Sequence, residues 1–304
     1  MPHPAPVTLE DEQLSLMILP ECGGKIRSII NRRTGRDWLW HNPHLPQAVP
    51  EYGQPYVTDL DTGGWDELFP SVSPGTFADG TSVPDHGDLV GLPWKILART
   101  ELELTMEVRA RSVPATLQRT VRLAGKESHV GSTRSDRDAP DLILDYTLTF
   151  HSGRSHPYLY AAHPLFALEA GSEIQLPAGT SFAVEGALGD TPHQAGDTIA
   201  WPAGFRCRPE TPAHALKLFT GSGAVDRVTL THSSGESLEL SWTAAQLPHL
   251  GIWLNHHAWS GVNGVPYFNL GLEPGTAPAD TPDWEAPLVD TPDVLRWSIE
   301  LRIK

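Results

Sequence analysis

Glycine and proline decide what this chain cannot be. There are 27 glycines and 28 prolines among 304 residues, and hardly a window long enough for a stable helix escapes one of them. Between these breakers the apolar residues recur at every second position. Leu142, Leu144, Tyr146, Leu148 and Phe150 share one face, and Leu295, Trp297, Ile299, Leu301 and Ile303 repeat the pattern. That period belongs to a strand with one buried face. Similar segments run over 101–109, 116–123, 225–231, 237–242 and 250–254, most of them separated by Gly, Pro, Asp or Ser clusters. Strands without intervening helical patterns stack as antiparallel sheets. The pattern therefore predicts an all-β fold, a large antiparallel β-sandwich. No compositional break or internal repeat divides it, so one domain over residues 1–304 is expected. The longest stretch without a strand pattern runs from about Trp40 to Val90; loops of that length in a compact domain are usually functional. The segment 274–293 has the same composition and is read as a cover for one end of the sandwich.

Charge narrows the partners. Lys and Arg number 22 against 37 Asp and Glu, a formal net charge of −15, which is the wrong sign for neutralising phosphates. Nucleic acid is therefore excluded, and a neutral small molecule fits better. No run approaches the roughly 20 apolar residues of a membrane span. The stretch Met1-Pro2-His3-Pro4-Ala5-Pro6 has no basic patch followed by apolar residues, so a cytoplasmic protein is expected. Cys22 and Cys207 are too far apart in sequence to form a zinc-type or redox pair. Nothing in the sequence speaks to the oligomeric state.

Against this background a few ionisable residues stand in apolar company. His163 lies in Tyr160-Ala161-Ala162-His163-Pro164-Leu165-Phe166, and Glu273 in Asn269-Leu270-Gly271-Leu272-Glu273-Pro274. Desolvating such groups is costly unless they are paired or used. In Asp85-His86-Gly87 a glycine allows the backbone to turn closely beside a histidine. Taken singly, His163 reads as a core histidine satisfied by a carbonyl, and Glu273 as a solvated carboxylate at a strand end.

Taken in order, these motifs resemble the aldose 1-epimerase (galactose mutarotase-like) family, over most of the chain. Gly23-Gly24-Lys25-Ile26-Arg27-Ser28-Ile29 with Thr34-Gly35-Arg36-Asp37-Trp38-Leu39-Trp40 is similar to that family's opening hairpin. Gly63-Gly64-Trp65-Asp66-Glu67-Leu68-Phe69-Pro70 is similar to its Gly-Gly-Trp-Asp-Glu loop. His86-Gly87 resembles its first histidine motif, His163-Pro164-Leu165-Phe166 its second, and Leu272-Glu273-Pro274 the segment carrying its catalytic glutamate. The resemblance implies a β-supersandwich, a monosaccharide bound in an open cleft, no cofactor, and interconversion of α and β anomers. It makes Glu273 and His163 the catalytic pair. His86, Asp85, Trp65, Trp94, Trp253 and Lys217 are the substrate-binding candidates.

Three departures stand out. Leu89-Val90 replaces an arginine the family often has after its first histidine motif, Ala162 replaces an asparagine before the second, and Lys217 falls near the place of a sugar-binding aspartate. Asp66 and Glu67 are read as structural, since capping is the default for acids in Gly-rich turns. His249, His256 and His257 suggest a metal, but adjacent strand residues face opposite ways, and no metal is expected. Arg32, Arg33 and Arg36 keep a sugar-phosphate substrate open. A sugar-binding protein without turnover is a further alternative. So is a glycoside hydrolase using Glu273 and Asp85.

Overall fold

The computed structural model describes residues 5–124, 139–202, 205–208, 210–261 and 264–304; of the N-terminal stretch read above, residues 1–4 lie outside them. Two large antiparallel sheets face one another. The ten-stranded sheet runs, edge to edge, through Val7–Glu10, Leu14–Leu19, Lys25–Asn31, Gly64–Leu68, Ala161–Ala167, Phe268–Gly275, His249–His256, His214–Thr220, Ser181–Gly189 and Thr198–Ala200. The nine-stranded sheet runs through Phe205–Arg206, Glu173–Gln175, Arg227–Thr231, Ser237–Trp242, Val294–Ile303, Leu142–Phe150, Ala115–Leu123, Glu103–Arg109 and Lys95–Arg99. The all-β sandwich expected from the period-two pattern is the observed fold.

The nine-stranded sheet follows that pattern closely. Along Leu142–Phe150, buried and half-buried residues alternate without a break, so Leu142, Leu144, Tyr146, Leu148 and Phe150 point inward. They meet Phe166, Ile252 and Leu272 of the ten-stranded sheet in a continuous apolar cluster. Each such side chain contributes roughly 1.5–3 kcal/mol on full burial.

Central strands of the ten-stranded sheet are covered on both faces. All five residues of Gly64–Leu68 are buried, as are the first six of Ala161–Ala167. The segment expected as a Gly-Gly-Trp-Asp-Glu loop is thus a strand, and the stretch from about 40 to 90 is interrupted by it. The sheet's outer face is packed by a second apolar cluster that includes Tyr56, Leu68, Val72 and Ala161. Tyr56 belongs to a short π-helical turn, Tyr56–Leu60.

Alternation assigns Asp66 and Glu67 to opposite faces. Glu67 points between the sheets, where Arg119 of the nine-stranded sheet approaches its Oε1 to 2.8 Å. Tyr146 and Tyr160 donate to Glu67 at 2.8 and 2.6 Å. Asp66 points to the outer face, accepting from Lys25 at 2.6 Å and from Tyr56 at 2.8 Å.

Candidate active site

A cleft of about 250 Å³ opens on the outer face of the ten-stranded sheet. Its floor follows from strand register. Ala161 pairs with Gly275 and Leu165 with Gly271, which places His163 beside Glu273. On the other side His163 pairs with Asp66, and Glu273 with Gly251. Side chains in register on antiparallel strands share a face, so Asp66, His163 and Glu273 form one row across the sheet. Lys217 reaches this row diagonally from His214–Thr220.

Glycine makes room for the carboxylate. A Cβ at Gly271 would lie 2.7 Å from Oε1 of Glu273, and one at Gly251 would lie 3.2 Å from Oε2. His163 Nδ1 lies 3.2 Å from Glu273 Oε1, an ion-pair distance, and both atoms are buried without a hydrogen-bond partner among the described residues. Lys217 Nζ donates to Glu273 Oε2 at 2.5 Å and lies 3.2 Å from Asp280 Oδ1. Burial alone would raise the Glu273 pKa, but Lys217 and the adjacent His163 outweigh it and bring it down to about 2. Burial would also discharge Lys217; Glu273 and Asp280 reverse this and raise its pKa above the ordinary value.

Asp280 arrives from the segment read as a cover. Its backbone carbonyl accepts from the N–H groups of Val72 and Ser73 at 3.1 and 2.8 Å, which ties that segment to the cleft rim.

His86 closes the opposite side. It adopts φ +63°, a left-handed conformation costing a non-glycine residue roughly 1–2 kcal/mol. Gly87 follows at φ +77°, where a Cβ would meet the Phe69 carbonyl oxygen at 2.4 Å. The turn is therefore held tightly against its neighbours. Asp85 Oδ1 lies 3.0 Å from His86 Nδ1, and Tyr56 stacks on the imidazole at 3.6 Å, the ring planes nearly parallel at 7°. Lys25 and Asp66 anchor Tyr56 from below. The rings of His86 and His163 are 5.6 Å apart and nearly perpendicular.

Of the residues singled out from the sequence, Glu273, His163, His86, Asp85, Lys217 and Trp253 line this cleft. Trp65 and Trp94 do not, which corrects the expectation for both. Trp65 is 0% exposed in the core, carried by the inward side of its strand. Trp94 is 3% exposed and packs over Gly24 and the Arg119 guanidinium. Arg36 pairs with Glu236 and Glu169, and Arg32 with Glu10; Arg32, Arg33 and Arg36 are not among the lining residues. Sequence reading missed Tyr56, Asp61, Trp259, Tyr267, Asn269 and Asp280, which also line the cleft. Asn269 was within reach, because residues 269, 271 and 273 share a face; the others come from segments without periodicity. Among the described residues no helix is long and apolar enough to cross a membrane.

No protein-family model matches the chain, and no curated protein matches it. Solved structures do. A protein from Synechocystis sp. PCC 6803 superposes with a TM-score of 0.68 at 15% identity, over 99% of this chain and 96% of that one. A galactose mutarotase-like protein from Lactobacillus casei gives 0.61 at 17% identity, over 99% and 100%. An aldose epimerase homologue from C. elegans gives 0.62 at 14% identity, over 99% of each chain. Together with the sheet topology, these likenesses show that the chain has the galactose mutarotase-like fold.

Proposed function

We propose that the protein is an aldose 1-epimerase, interconverting the α and β anomers of a free, neutral aldose. One observation carries this reading. His163 and Glu273, side by side in the cleft, each present a buried polar atom without a hydrogen-bond partner, Nδ1 and Oε1. Opening a cyclic hemiacetal requires a proton to leave the anomeric hydroxyl and another to reach the ring oxygen, so a base and an acid must act together. Glu273, held ionised by Lys217, takes the hydroxyl proton. Protonated His163 delivers one to the ring oxygen. The sugar opens to the aldehyde, the C1–C2 bond rotates, and closure on the other face returns both protons. His86, fixed by Tyr56 and Asp85, holds the substrate near the ring oxygen.

The cleft's charge supports a neutral sugar. Asp61, Asp85, Glu273 and Asp280 line it against Lys217 and the protonated His163, a balance still on the negative side that disfavours phosphate. The arginines that kept a sugar-phosphate open are committed to surface carboxylates instead. Trp253 and Trp259 supply apolar faces for sugar C–H groups, their rings 5.7 Å apart and nearly perpendicular. Residues 1–304 act here as one unit, a reading supported by the apolar cluster that both sheets share. The cytoplasm is the proposed location, supported by two buried thiols, Cys22 and Cys207, that stand unpaired.

A second reading, a sugar-binding protein without turnover, is favoured by the Lys217–Glu273 contact, because a carboxylate with a pKa of about 2 is a weak base. Polarimetry of freshly dissolved single-anomer glucose, galactose, arabinose, xylose and fucose separates the two. Acceleration by the wild type and its loss in Glu273→Gln are expected; binding without acceleration would decide for the second reading. The rate should fall at acid pH as Glu273 is protonated. A His163→Asn variant that keeps the wild-type rate would remove His163 as the acid, since such a group is worth roughly 10²–10⁴ in rate.

A further inference from the structure

Asn269 is 1% exposed and lines the cleft, yet neither its Oδ1 nor its Nδ2 has a hydrogen-bond partner among the described residues. Buried amides are nearly always paired. The residue directly across the ladder is also a buried asparagine, Asn255, and it shows what a structural one looks like. Oδ1 of Asn255 accepts from the N–H groups of Ala258 and Trp259 at 3.2 and 3.1 Å, and its Nδ2 donates to the Trp259 carbonyl at 3.0 Å. Asn255 thereby builds the turn that sets Trp259 in the cleft wall. Asn269 builds nothing, and it stands on the same strand and face as Glu273.

A planar amide with both ends free offers one donor and one acceptor side by side. That pattern matches two neighbouring hydroxyls, one donating to Oδ1 and the other accepting from Nδ2. Lys217 cannot offer this pattern, since its ammonium group has donors only, and Glu273 and Asp280 already engage two of them. Asp61 adds a further unpaired buried oxygen, Oδ1, to the cleft lining.

We propose that Asn269 is the specificity-determining residue of the cleft, reading a pair of adjacent hydroxyls on a neutral sugar. This rests on the reading of the cleft as a sugar site, and it places hydroxyl recognition at 269, where the sequence alone pointed to 217.

The test compares the full-length wild type with Asn269→Leu and Asn269→Asp. Affinity is measured by titration calorimetry with glucose, galactose, arabinose, xylose and fucose, and Tm is measured without sugar. For any sugar the wild type binds, Asn269→Leu should weaken affinity about 10- to 100-fold through two lost hydrogen bonds. Its Tm should hold or rise, because an apolar side chain of similar size removes two unpaired buried atoms. Asn269→Asp, which keeps an acceptor and loses the donor, should fall between. Leucine affinities within about twofold of wild type, less than one net hydrogen bond is worth, would overturn the proposal. So would a lower Tm in both variants, which would make Asn269 structural. A wild type that binds none of the five sugars overturns the proposal together with the sugar reading. Binding without polarimetric acceleration removes only the epimerase reading, and the affinities then decide on Asn269 in the same way.

Discussion

Glu67 and Glu273 are both carried by central strands of the ten-stranded sheet and are 0% and 2% exposed, but their surroundings differ atom by atom. Both oxygens of Glu67 accept hydrogen bonds, from Arg119 and Tyr146 on one side and Tyr160 on the other. Glu273 has one oxygen held by Lys217, while the other, 3.2 Å from His163 Nδ1, accepts no hydrogen bond among the described residues. Their pKa values move in opposite directions. Burial outweighs Arg119 and the tyrosines at Glu67 and leaves its pKa raised, whereas at Glu273 Lys217 and His163 outweigh burial. The difference comes from the face of the sheet. Glu67 looks inward, where a second sheet completes its shell; Glu273 looks outward, where space is left for a ligand. A saturated carboxylate joins layers, and an unsaturated one is available for chemistry.

Substitution by glutamine separates the two most sharply. Glu273→Gln should cost roughly 10²–10⁴ in anomerisation rate, the range for loss of a general base, and also some stability near neutrality, because it removes the carboxylate that Lys217 and His163 hold ionised. Glu67→Gln should leave Arg119 buried without its counter-charge and cost about 3–5 kcal/mol of stability, measured by denaturant titration, while the folded fraction keeps its rate. A Glu67→Gln protein that is stable but inactive would erase the distinction.

Gly271→Ala sharpens it further, because it alters space without altering charge. The added methyl would lie 2.7 Å from Glu273 Oε1, so the carboxylate must move. A displacement of about 1 Å in a reacting group can cost roughly 10²-fold. The loss should appear in the rate while far-ultraviolet circular dichroism stays unchanged; full activity would mean that Oε1 is not the reacting oxygen.

The same asymmetry explains what could be read from the sequence. Strands with one wet face, such as Leu142–Phe150, announce themselves by alternation. Gly64–Leu68 is dry on both sides, so its period vanishes and its two leading glycines imitate a loop. Trp65 and Trp94 lie near motif residues in sequence but on the core side in space, a matter of facing that a motif cannot convey. His163 and Glu273 were visible as polar residues in apolar runs, and their contact required only the strand register. Asp61 and Asp280 had no such signal, because irregular segments deliver them and only tertiary packing brings those segments to the cleft.

Lys217→Met gives the smallest expected change in rate and the most specific one. Removing the ammonium group from Oε2 should raise the Glu273 pKa from about 2 and shift the acid limb of the pH–rate profile upward. Near neutrality the effects oppose one another: a stronger base transfers the proton more readily but is more weakly oriented, and the net change should stay within about tenfold. Stability gives the second reading. The depressed pKa of Glu273 contributes stability that is fully present above the ordinary value of 4.5 and is lost as pH falls toward about 2. In Lys217→Met that acid-side loss should shrink, because the folded and unfolded pKa values approach one another. Lys217→Arg keeps the charge and should restore the acid limb. An acid limb that stays in place in Lys217→Met would show that the lysine does not govern the carboxylate, and the contrast between Glu273 and Glu67 would then have to rest on the unpaired Oε1 alone.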